Sequence, residues 1–281
     1  MKTFLWRILR TLAVGLVALV AILLGFQHKL IYHPRDYEEG ELKWLEELGG
    51  KLWEVTTSQG RQTAFYLPAI TSPNGPPEFL WLVTGGNGAL ALDYAEHRKR
   101  WDHRFAYLFI DYPGYGLCEG RPTPAHIQET LAALRTKTQT ELGWTEEDLS
   151  QRSGALGHSL GSAVALMAAE EWQLRSAVLC TPFTTLTDMA KLLLGTPLCH
   201  LNRHHYDNLR TLASHQERGG KAILIHGTED EVIPVRMSQE LHDSFRDTTE
   251  YVEVPQATHN DIFYLASQRI NGAMLDLSGL D

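Results

Sequence analysis

Two patterns of hydrophobic positions divide the chain near residue 34. An uninterrupted apolar run extends from Leu12 to Phe26 and has no polar face. From about residue 50 onward, short apolar runs of strand length alternate with stretches of helical periodicity. We therefore predict an N-terminal apolar helix within residues 1–34 and a folded domain over residues 35–281.

The folded part has the pattern of a mostly parallel β-sheet. Its strand-length runs are LWEVTT, TAFYLP, FLWLVTG, FAYLFID, SGALGH, SAVLC, KAILIHG and EYVEV. The first two flank the turn SQGR and predict a hairpin, whereas helical stretches separate most of the later runs. This alternation predicts an α/β fold, in which helices flank the sheet. Between SAVLC and KAILIHG, at about residues 182–219, we predict a short lid insertion.

The charges around the N-terminal run predict a membrane anchor. Lys2, Arg7 and Arg10 precede the run, and the charge that follows it is weaker and mixed. No A-x-A cleavage site follows, which favours an uncleaved anchor through residues 11–26 over a cleaved signal peptide. The positive-inside rule then places the amino terminus in the cytoplasm and the folded domain outside it, in a periplasm or a lumen.

The overall charge argues against a nucleic-acid partner. The 281-residue chain has a formal net charge of −9, although its first ten residues include three cations and no acidic residue. Binding to phosphates needs clustered lysine and arginine, which this acidic domain lacks.

The cysteines and one histidine-rich segment raise two questions, namely whether the chain forms a disulfide bridge and whether it binds zinc. Three cysteines at irregular spacing form no disulfide framework, although a single Cys180–Cys199 bridge remains open. The segment CHLNRHH contains Cys199, His200, His204 and His205, which are residue types that bind zinc. No second cluster completes such a site, so we predict a polar segment with no metal and no cofactor.

The motif GHSLG, residues 157–161, supplies a candidate nucleophile. It lies between the predicted strand SGALGH and a predicted helix, which is the setting of a G-x-S-x-G nucleophile elbow. A sharp turn there would project Ser159 from the edge of the sheet. The positive end of the following helix would help to stabilise an oxyanion.

A serine hydroxyl is weakly nucleophilic at neutral pH and needs a base with an orienting acid. Asp230 follows the strand KAILIHG, and His259 follows the strand EYVEV, which gives the chain order Ser, Asp, His. Asp188 is an alternative acid. Asp261 is predicted to cap the closing helix, with tuning of His259 as the alternative.

Two backbone N–H groups are needed to bind the oxyanion. Leu160, directly after the serine, would supply one of them. The loop TGGNGAL, after the strand FLWLV, would supply the other from Asn87, with Gly86 as the alternative donor. His226 is interpreted as a structural residue, and His158, beside the serine, as a residue that shapes the site without taking part in catalysis.

These motifs together resemble the α/β-hydrolase superfamily over roughly residues 50–270. GHSLG, TGGNG, DYPGYG, HGTEDEVIP and HNDIF carry the resemblance. More narrowly, the apolar anchor followed by LIYHP is similar to the membrane-anchored branch of yeast Bem-type and human α/β-hydrolase-domain proteins. The chain departs from the usual pattern at two positions, with Gly85 in place of histidine and Pro113 in place of arginine.

The resemblance implies a serine hydrolase that acts on acyl esters or thioesters through an acyl-enzyme. Its substrate would be a small-molecule or lipid acyl group, or an acylated protein, because some relatives remove fatty acyl groups from proteins. Two alternatives remain: a serine peptidase of the proline-iminopeptidase type, and a membrane-anchored interaction protein with a degenerate site.

Overall fold

A computed structural model describes residues 2–38 and 40–280, so Met1 of the predicted anchor segment lies outside the described residues. An eight-stranded sheet with the order β1-β2-β4-β3-β5-β6-β7-β8 forms its centre. The strands are β1 Lys51–Thr57, β2 Gly60–Leu67, β3 Phe79–Thr84, β4 Phe105–Ile110, β5 Ser153–His158, β6 Ser176–Cys180, β7 Lys221–Gly227 and β8 Thr249–Val254.

The predicted α/β architecture is confirmed. The strands β1 and β2 form the expected antiparallel hairpin, and β2 also pairs antiparallel with β4. All pairs from β4 through β3, β5, β6 and β7 to β8 are parallel. The strands β3, β4, β5 and β6 are buried throughout, which explains why their sequences are continuous apolar runs instead of alternating ones.

Helices cover both faces of this sheet. The α-helices of the described residues, of which α1 and α6 do not belong to these layers, are α1 Lys2–Ile31, α2 Glu41–Glu47, α3 Pro124–Leu142, α4 Glu146–Arg152, α5 Leu160–Glu171, α6 Leu186–Leu194, α7 Asn208–Glu217, α8 Arg236–Ser244, α9 Ile262–Leu265 and α10 Ser267–Ser278. Two 3₁₀ helices, Ala91–Arg100 and Leu198–Leu201, complete the list.

The helix α3 shows how the local sequence sets the ends of an element. The side chain of Thr123 accepts a hydrogen bond from the His126 N–H at its start, and Pro124 occupies the first helical position. Gly143, with φ of 66°, ends the helix in the left-handed conformation that glycine adopts without strain.

The segment between β6 and β7 contains three short helices that differ in their packing. The helix α7 contacts α5 and buries Thr211, Leu212 and His215, so it belongs to the layer that covers the sheet. The helix α6 buries none of its residues. Together with the 3₁₀ helix Leu198–Leu201, α6 therefore forms the part of the predicted insertion that lies over the loops at the sheet edge.

The helix α1 extends from the folded part. By length and composition, its segment Thr3–Ile31 can cross a membrane. Its side chains from Thr3 to Leu19 are exposed, whereas one face of its last three turns is half-buried against the rest of the protein.

The close contact of α5 with β3 predicts that Gly161→Ala destabilises the fold. A β-carbon on Gly161 would collide with the carbonyl oxygens of Thr84 and Gly85. Because backbone atoms cannot move aside as a side chain can, we expect a loss of about 3 kcal/mol in the free energy of unfolding. Chemical denaturation in detergent would measure it.

Gly272→Ala is the matched control. Gly272 lies within α10, and a β-carbon there would meet no atom within 4 Å. Alanine has the higher helix propensity, so this variant is expected to gain up to about 1 kcal/mol. Equal losses in the two variants would contradict the importance of the close approach at Gly161.

Candidate active site

The turn between β5 and α5 holds Ser159 in a strained conformation. Its backbone has φ of 56° and ψ of −120°, a region that side-chain-bearing residues seldom adopt. The Ser159 N–H donates to the Cys180 carbonyl at 3.0 Å and so ties the turn to β6. A β-carbon at Gly157 or Gly161 would collide with neighbouring backbone, so only glycine fits two positions before and two positions after the serine.

The structure brings together Ser159, His259 and Asp230 from three different loops. Ser159 Oγ lies 3.0 Å from His259 Nε2, and His259 Nδ1 lies 2.8 Å from Asp230 Oδ2. The three loops follow β5, β8 and β7, whose carboxyl ends meet at one edge of the sheet. In this geometry the serine hydroxyl donates to the imidazole, and the imidazole donates to the carboxylate.

Asp230 is held as a carboxylate by four hydrogen-bond donors. Its Oδ1 accepts from the N–H groups of Val232 and Ile233, at 2.9 and 2.7 Å. Its Oδ2 accepts from His259 and lies 3.1 Å from His226 Nε2. Burial alone would raise the pKa of Asp230, but the hydrogen bonds from His226, His259 and Ile233 outweigh burial and lower that pKa below its usual range.

The sequence interpretation missed the contacts that two further residues, His226 and Glu231, make with the triad. His226 is fully buried, and its other ring nitrogen lies 2.5 Å from Ser238 Oγ. It therefore helps to orient the acid through Oδ2, the same carboxylate oxygen that His259 contacts. Glu231 accepts the backbone N–H of His259 at 3.3 Å. Both residues lie within four positions of Asp230, which is the sequence signal that could have indicated them.

His158 links two loops of the site. Its Nε2 lies 2.9 Å from the His259 carbonyl oxygen, and its Nδ1 lies 3.0 Å from the Tyr94 hydroxyl, which in turn accepts from the Gly86 N–H at 3.1 Å. Burial of the ring is the main cause that lowers the pKa of His158 to about 3, and the positive charge that nearby His259 can carry adds to it. The ring is therefore neutral, donates from Nε2 and accepts at Nδ1.

The two preferred donors for an oxyanion remain available. Asn87, Leu160 and Ser159 line the same pocket. Among the described residues, no hydrogen-bond acceptor is found for the backbone N–H of Asn87 or Leu160, whereas the Gly86 N–H already donates to Tyr94. Asn87 itself is fixed, since its Nδ2 donates to the Ile31 carbonyl at 3.0 Å and its own carbonyl accepts from the His33 N–H at 2.9 Å.

The other candidate acids have structural contacts. Asp188 accepts hydrogen bonds from the hydroxyls of Thr184 and Thr185, and its backbone N–H donates to Thr185, which caps the start of α6. The predicted cap of α9 by Asp261 is wrong for its side chain, which makes no cap hydrogen bond. That side chain instead accepts from the Thr258 N–H at 2.7 Å and braces the turn that carries His259.

Gly85 stands where the α/β-hydrolase pattern that the chain resembles usually has histidine. The structure gives a local physical reason for the glycine. A β-carbon there would lie 2.8 Å from Cε2 of Tyr94. The Tyr94 ring therefore takes the space that a side chain at position 85 would need. The Gly85 carbonyl accepts from the Tyr112 hydroxyl at 2.6 Å, which holds the loop in place.

A pocket of about 370 Å³ adjoins Ser159. Its lining is almost entirely apolar and comes from α1, from α6 with the 3₁₀ turn after it, and from the loop after Asp230. An insertion as short as the predicted lid favours a fairly open site, yet Ser159 and His259 are only 8% and 6% exposed. The additional cover comes from α1, which the sequence interpretation treated as an anchor alone. A larger cavity of about 670 Å³ lies beside β1 and contacts none of the three candidate catalytic residues.

The segment considered for zinc makes other contacts. His204 Nδ1 lies 3.1 Å from the Tyr32 hydroxyl, and Cys199 is buried as a free thiol. Cys180 is also a free thiol, so the Cys180–Cys199 bridge does not form. Within residues 2–38 and 40–280, no three His, Cys, Asp or Glu side chains are grouped so that they could hold a metal ion.

Known proteins resemble this chain along most of its length. No protein-family model matches it. An uncharacterised Mycobacterium tuberculosis protein is 27% identical over 254 residues, which cover 88% of this chain and 87% of that protein. The α/β hydrolase domain-containing protein WAV2 of Arabidopsis thaliana is 26% identical and covers 87% of this chain and 85% of its own length. Human α/β hydrolase domain-containing protein 17B is 26% identical over 54% of this chain and 49% of its own length.

Solved structures confirm the predicted α/β-hydrolase fold. An esterase of Pyrococcus furiosus superposes with a TM-score of 0.67 at 18% identity and covers 89% of this chain and 98% of its own. An α/β hydrolase of Vibrio vulnificus superposes with a TM-score of 0.65 at 16% identity and covers 85% and 88%.

The neutral state of His158 predicts a pH-dependent stability. The unfolded imidazole has the ordinary pKa of 6.5, whereas the folded one has a pKa of about 3. The unfolded state therefore binds a proton first as the pH falls, and stability that is complete above pH 6.5 is lost towards pH 3. We expect His158 to account for roughly 3 kcal/mol of the loss between pH 7 and pH 4.

His158→Gln removes this titration while keeping one donor and one acceptor. Its free energy of unfolding should vary less between pH 7 and pH 4 than that of the unsubstituted protein, measured by denaturant titration. The exposed His103 provides the control, since His103→Gln should keep the original pH dependence. Identical pH profiles for all three proteins would contradict the assignment.

Proposed function

We propose that this member of the α/β-hydrolase superfamily is a serine hydrolase that cleaves acyl ester or thioester bonds. One observation carries the proposal: the hydrogen-bonded chain from Ser159 through His259 to Asp230, at 3.0 and 2.8 Å, beside an apolar pocket. Hydroxyl, imidazole and carboxylate in this order form the arrangement that activates a serine for acyl transfer.

In the proposed mechanism, Ser159 Oγ attacks the acyl carbonyl carbon and His259 Nε2 takes its proton. The C–O or C–S bond to the leaving group then breaks, and the imidazolium returns the proton to that group. A water molecule, deprotonated by His259, then attacks the acyl carbon, the bond to Ser159 Oγ breaks, and the imidazolium returns the proton to Oγ as the acid leaves. Asp230 keeps Nδ1 protonated and stabilises the imidazolium that forms twice in the cycle.

The oxyanion is proposed to bind the backbone N–H groups of Leu160 and Asn87. Leu160 begins α5, where the N–H groups have no partner within the helix and the helix dipole favours negative charge. Gly86, the alternative donor, would have to give up its bond to Tyr94. Asn87 needs no such exchange, which favours it.

The pocket supports an acyl substrate over an amino-acid one. A proline-iminopeptidase must neutralise the free amino group of its substrate, and a carboxylate near the nucleophile would do this. Among the described residues that line this pocket there is no Asp or Glu. The alternative of a degenerate interaction protein gives no reason for a complete hydrogen-bonded triad.

We propose that α1 anchors the protein in a membrane as a single, uncleaved span. Its exposed apolar side chains between Arg10 and Lys29 support this, because nothing else in the described structure covers them. The cations at its start favour a cytoplasmic amino terminus, with the catalytic domain in a periplasm or a lumen. The proposed partners are therefore the membrane and an acylated small molecule, lipid or protein.

Ser159→Ala and His259→Ala are each expected to abolish hydrolysis of a short p-nitrophenyl ester. Ser159→Ala should also stop labelling by a fluorophosphonate probe, because the hydroxyl that the probe would modify is gone. Exposed Ser244 provides the control, and Ser244→Ala should keep both signals. Full turnover by Ser159→Ala would disprove the mechanism.

Asp230→Asn should lower kcat by roughly 10³- to 10⁴-fold, because an amide no longer selects the Nδ1–H tautomer of His259. Asp188→Asn is the matched control, since the asparagine oxygen can still accept from the hydroxyls of Thr184 and Thr185, and the contacts of Asp188 lie outside the triad. Ester hydrolysis and circular dichroism of both variants would test this. Comparable loss in both would show that the acid has been misassigned.

A further inference from the structure

The last turns of α1 form one wall of the pocket at Ser159. Leu23, Gln27 and Ile31 line it from α1, opposite Met189 and Leu193 of α6. An anchor that served only as a tether would have no reason to approach the nucleophile. The space for an acyl chain therefore lies between the candidate membrane span and the lid.

A helical stripe on α1 explains this contact. The half-buried positions between residues 20 and 31 recur at spacings of three and four, so they share one face of the helix. They are Val20, Leu23, Leu24, Gln27, His28 and Ile31. Before Val20, every described side chain of α1 is exposed. The first part of α1 is thus exposed on all sides, whereas from Val20 onward one face of the helix packs against the rest of the protein.

Polar contacts fix the lid to the end of α1. The Gln27 side chain donates to the Leu201 carbonyl at 3.3 Å and accepts from the Arg203 N–H at 2.7 Å. The Tyr32 hydroxyl lies between His204 Nδ1 and the Tyr206 hydroxyl, at 3.1 and 2.9 Å. The segment after α6 is therefore held at the height of the last turns of α1.

The charges on α1 define where these turns lie relative to a bilayer. Arg10 and Lys29 bracket a run without charge, and they are about 28 Å apart along the axis of a helix. The hydrocarbon core of a bilayer is about 30 Å thick. If both cations reach the headgroups, Gln27 lies at the outer boundary of the hydrocarbon and Leu23 lies about 9 Å inside it. The α6 lid, packed beside the same turns, must then lie at that boundary too.

The outer edge of α6 has the composition of a membrane contact. Leu192, Leu193 and Leu194 are 47%, 82% and 37% exposed, and α6 buries no residue. This edge meets α1 at the pocket, which Leu193 and Leu194 line together with the exposed Leu30 of α1. Because it continues the surface of the span, the bilayer is the occupant that covers both.

We propose that α6 is embedded in the leaflet next to the catalytic domain, and that the acyl chain enters the pocket from this leaflet, between α1 and α6. The substrates would then be long-chain acyl esters or thioesters already resident in the membrane. This inference rests on the proposed hydrolase function and on the proposed span. It assigns to α1 a role in substrate binding and to the leucines of α6 a role in contact with lipid.

Surface dilution tests the route of entry. The full chain is reconstituted in phosphatidylcholine vesicles that contain a fluorogenic palmitoyl ester. Phosphatidylcholine is then increased tenfold at a constant bulk concentration of the ester. Entry from the leaflet predicts a fall of about tenfold in the rate below saturation, because the mole fraction of substrate in the bilayer sets the rate. A rate that follows the bulk concentration would overturn the proposal.

Leu192→Asp tests the lid contact, because Leu192 is exposed and does not line the pocket. We expect at least a roughly tenfold loss of palmitoyl ester hydrolysis, since a charge resists burial at this depth. Hydrolysis of dissolved p-nitrophenyl acetate should stay within about twofold, because this substrate enters from water and its binding does not depend on hydrophobic contact between α6 and lipid. Leu52→Asp, at an equally exposed leucine on β1, is the control and should change neither rate.

The outcomes separate the two proposals. If the unsubstituted protein hydrolyses neither ester and does not react with a fluorophosphonate, the hydrolase function fails. If it hydrolyses both and Leu192→Asp leaves the palmitoyl rate unchanged, only the entry route fails. If Leu192→Asp instead dissociates a dimer in detergent, measured by sedimentation, a second copy of the chain covers α6 and the lipid contact is disproved.

Discussion

The left-handed backbone of Ser159 is the constraint on which the rest of the site depends. A residue with a side chain at φ of 56° persists only where its surroundings hold it, and two hydrogen bonds help to do so here. The Ser159 N–H is bound to the Cys180 carbonyl, and the Thr84 hydroxyl donates to the Gly161 carbonyl at 2.8 Å. Bare glycines let α5 approach β3 closely enough for that bond. The strain is thus offset by the packing of the sheet itself, and the same packing fixes the direction in which the candidate nucleophile projects.

Much of this arrangement could be predicted because it is encoded locally. Continuous apolar runs indicated the buried strands, and the glycines around Ser159 indicated the turn. The relation of Asp230 and His259 to the strands before them placed all three loops at one edge of the sheet. The predicted α/β architecture is confirmed, whereas the catalytic roles of these residues stay predictions. Asp261 shows the limit of local interpretation: an acidic residue before a helix usually caps it, but here a closer N–H, that of Thr258, competes for the same oxygen.

The parts that the sequence did not indicate depend on contacts between distant residues. Tyr94 fills the space left by Gly85 and receives the Gly86 N–H, and His158 carries that connection to the His259 carbonyl. No periodicity or motif marks a pair that is separated by 101 residues. His226 was interpreted as structural, and the structure gives that description a specific meaning: its Nε2 lies 3.1 Å from Asp230 Oδ2, the oxygen that also contacts His259. The buried ring of His158, whose pKa is lowered by burial, adds no competing charge beside the triad at neutral pH.

The segment that leaves α1 connects membrane attachment to the chemistry of the site. Asn87 is held from both directions by this segment, through the Ile31 carbonyl and the His33 N–H. Its remaining backbone N–H is the proposed second donor to the oxyanion, so the residue that would stabilise the transition state takes its position from the end of the proposed span. A tilt of α1 would be transmitted to Asn87 through two hydrogen bonds and to the lid through Gln27 and Tyr32. The pocket and the oxyanion loop thus share one support, and cutting the chain after residue 31 would disturb catalysis as well as attachment.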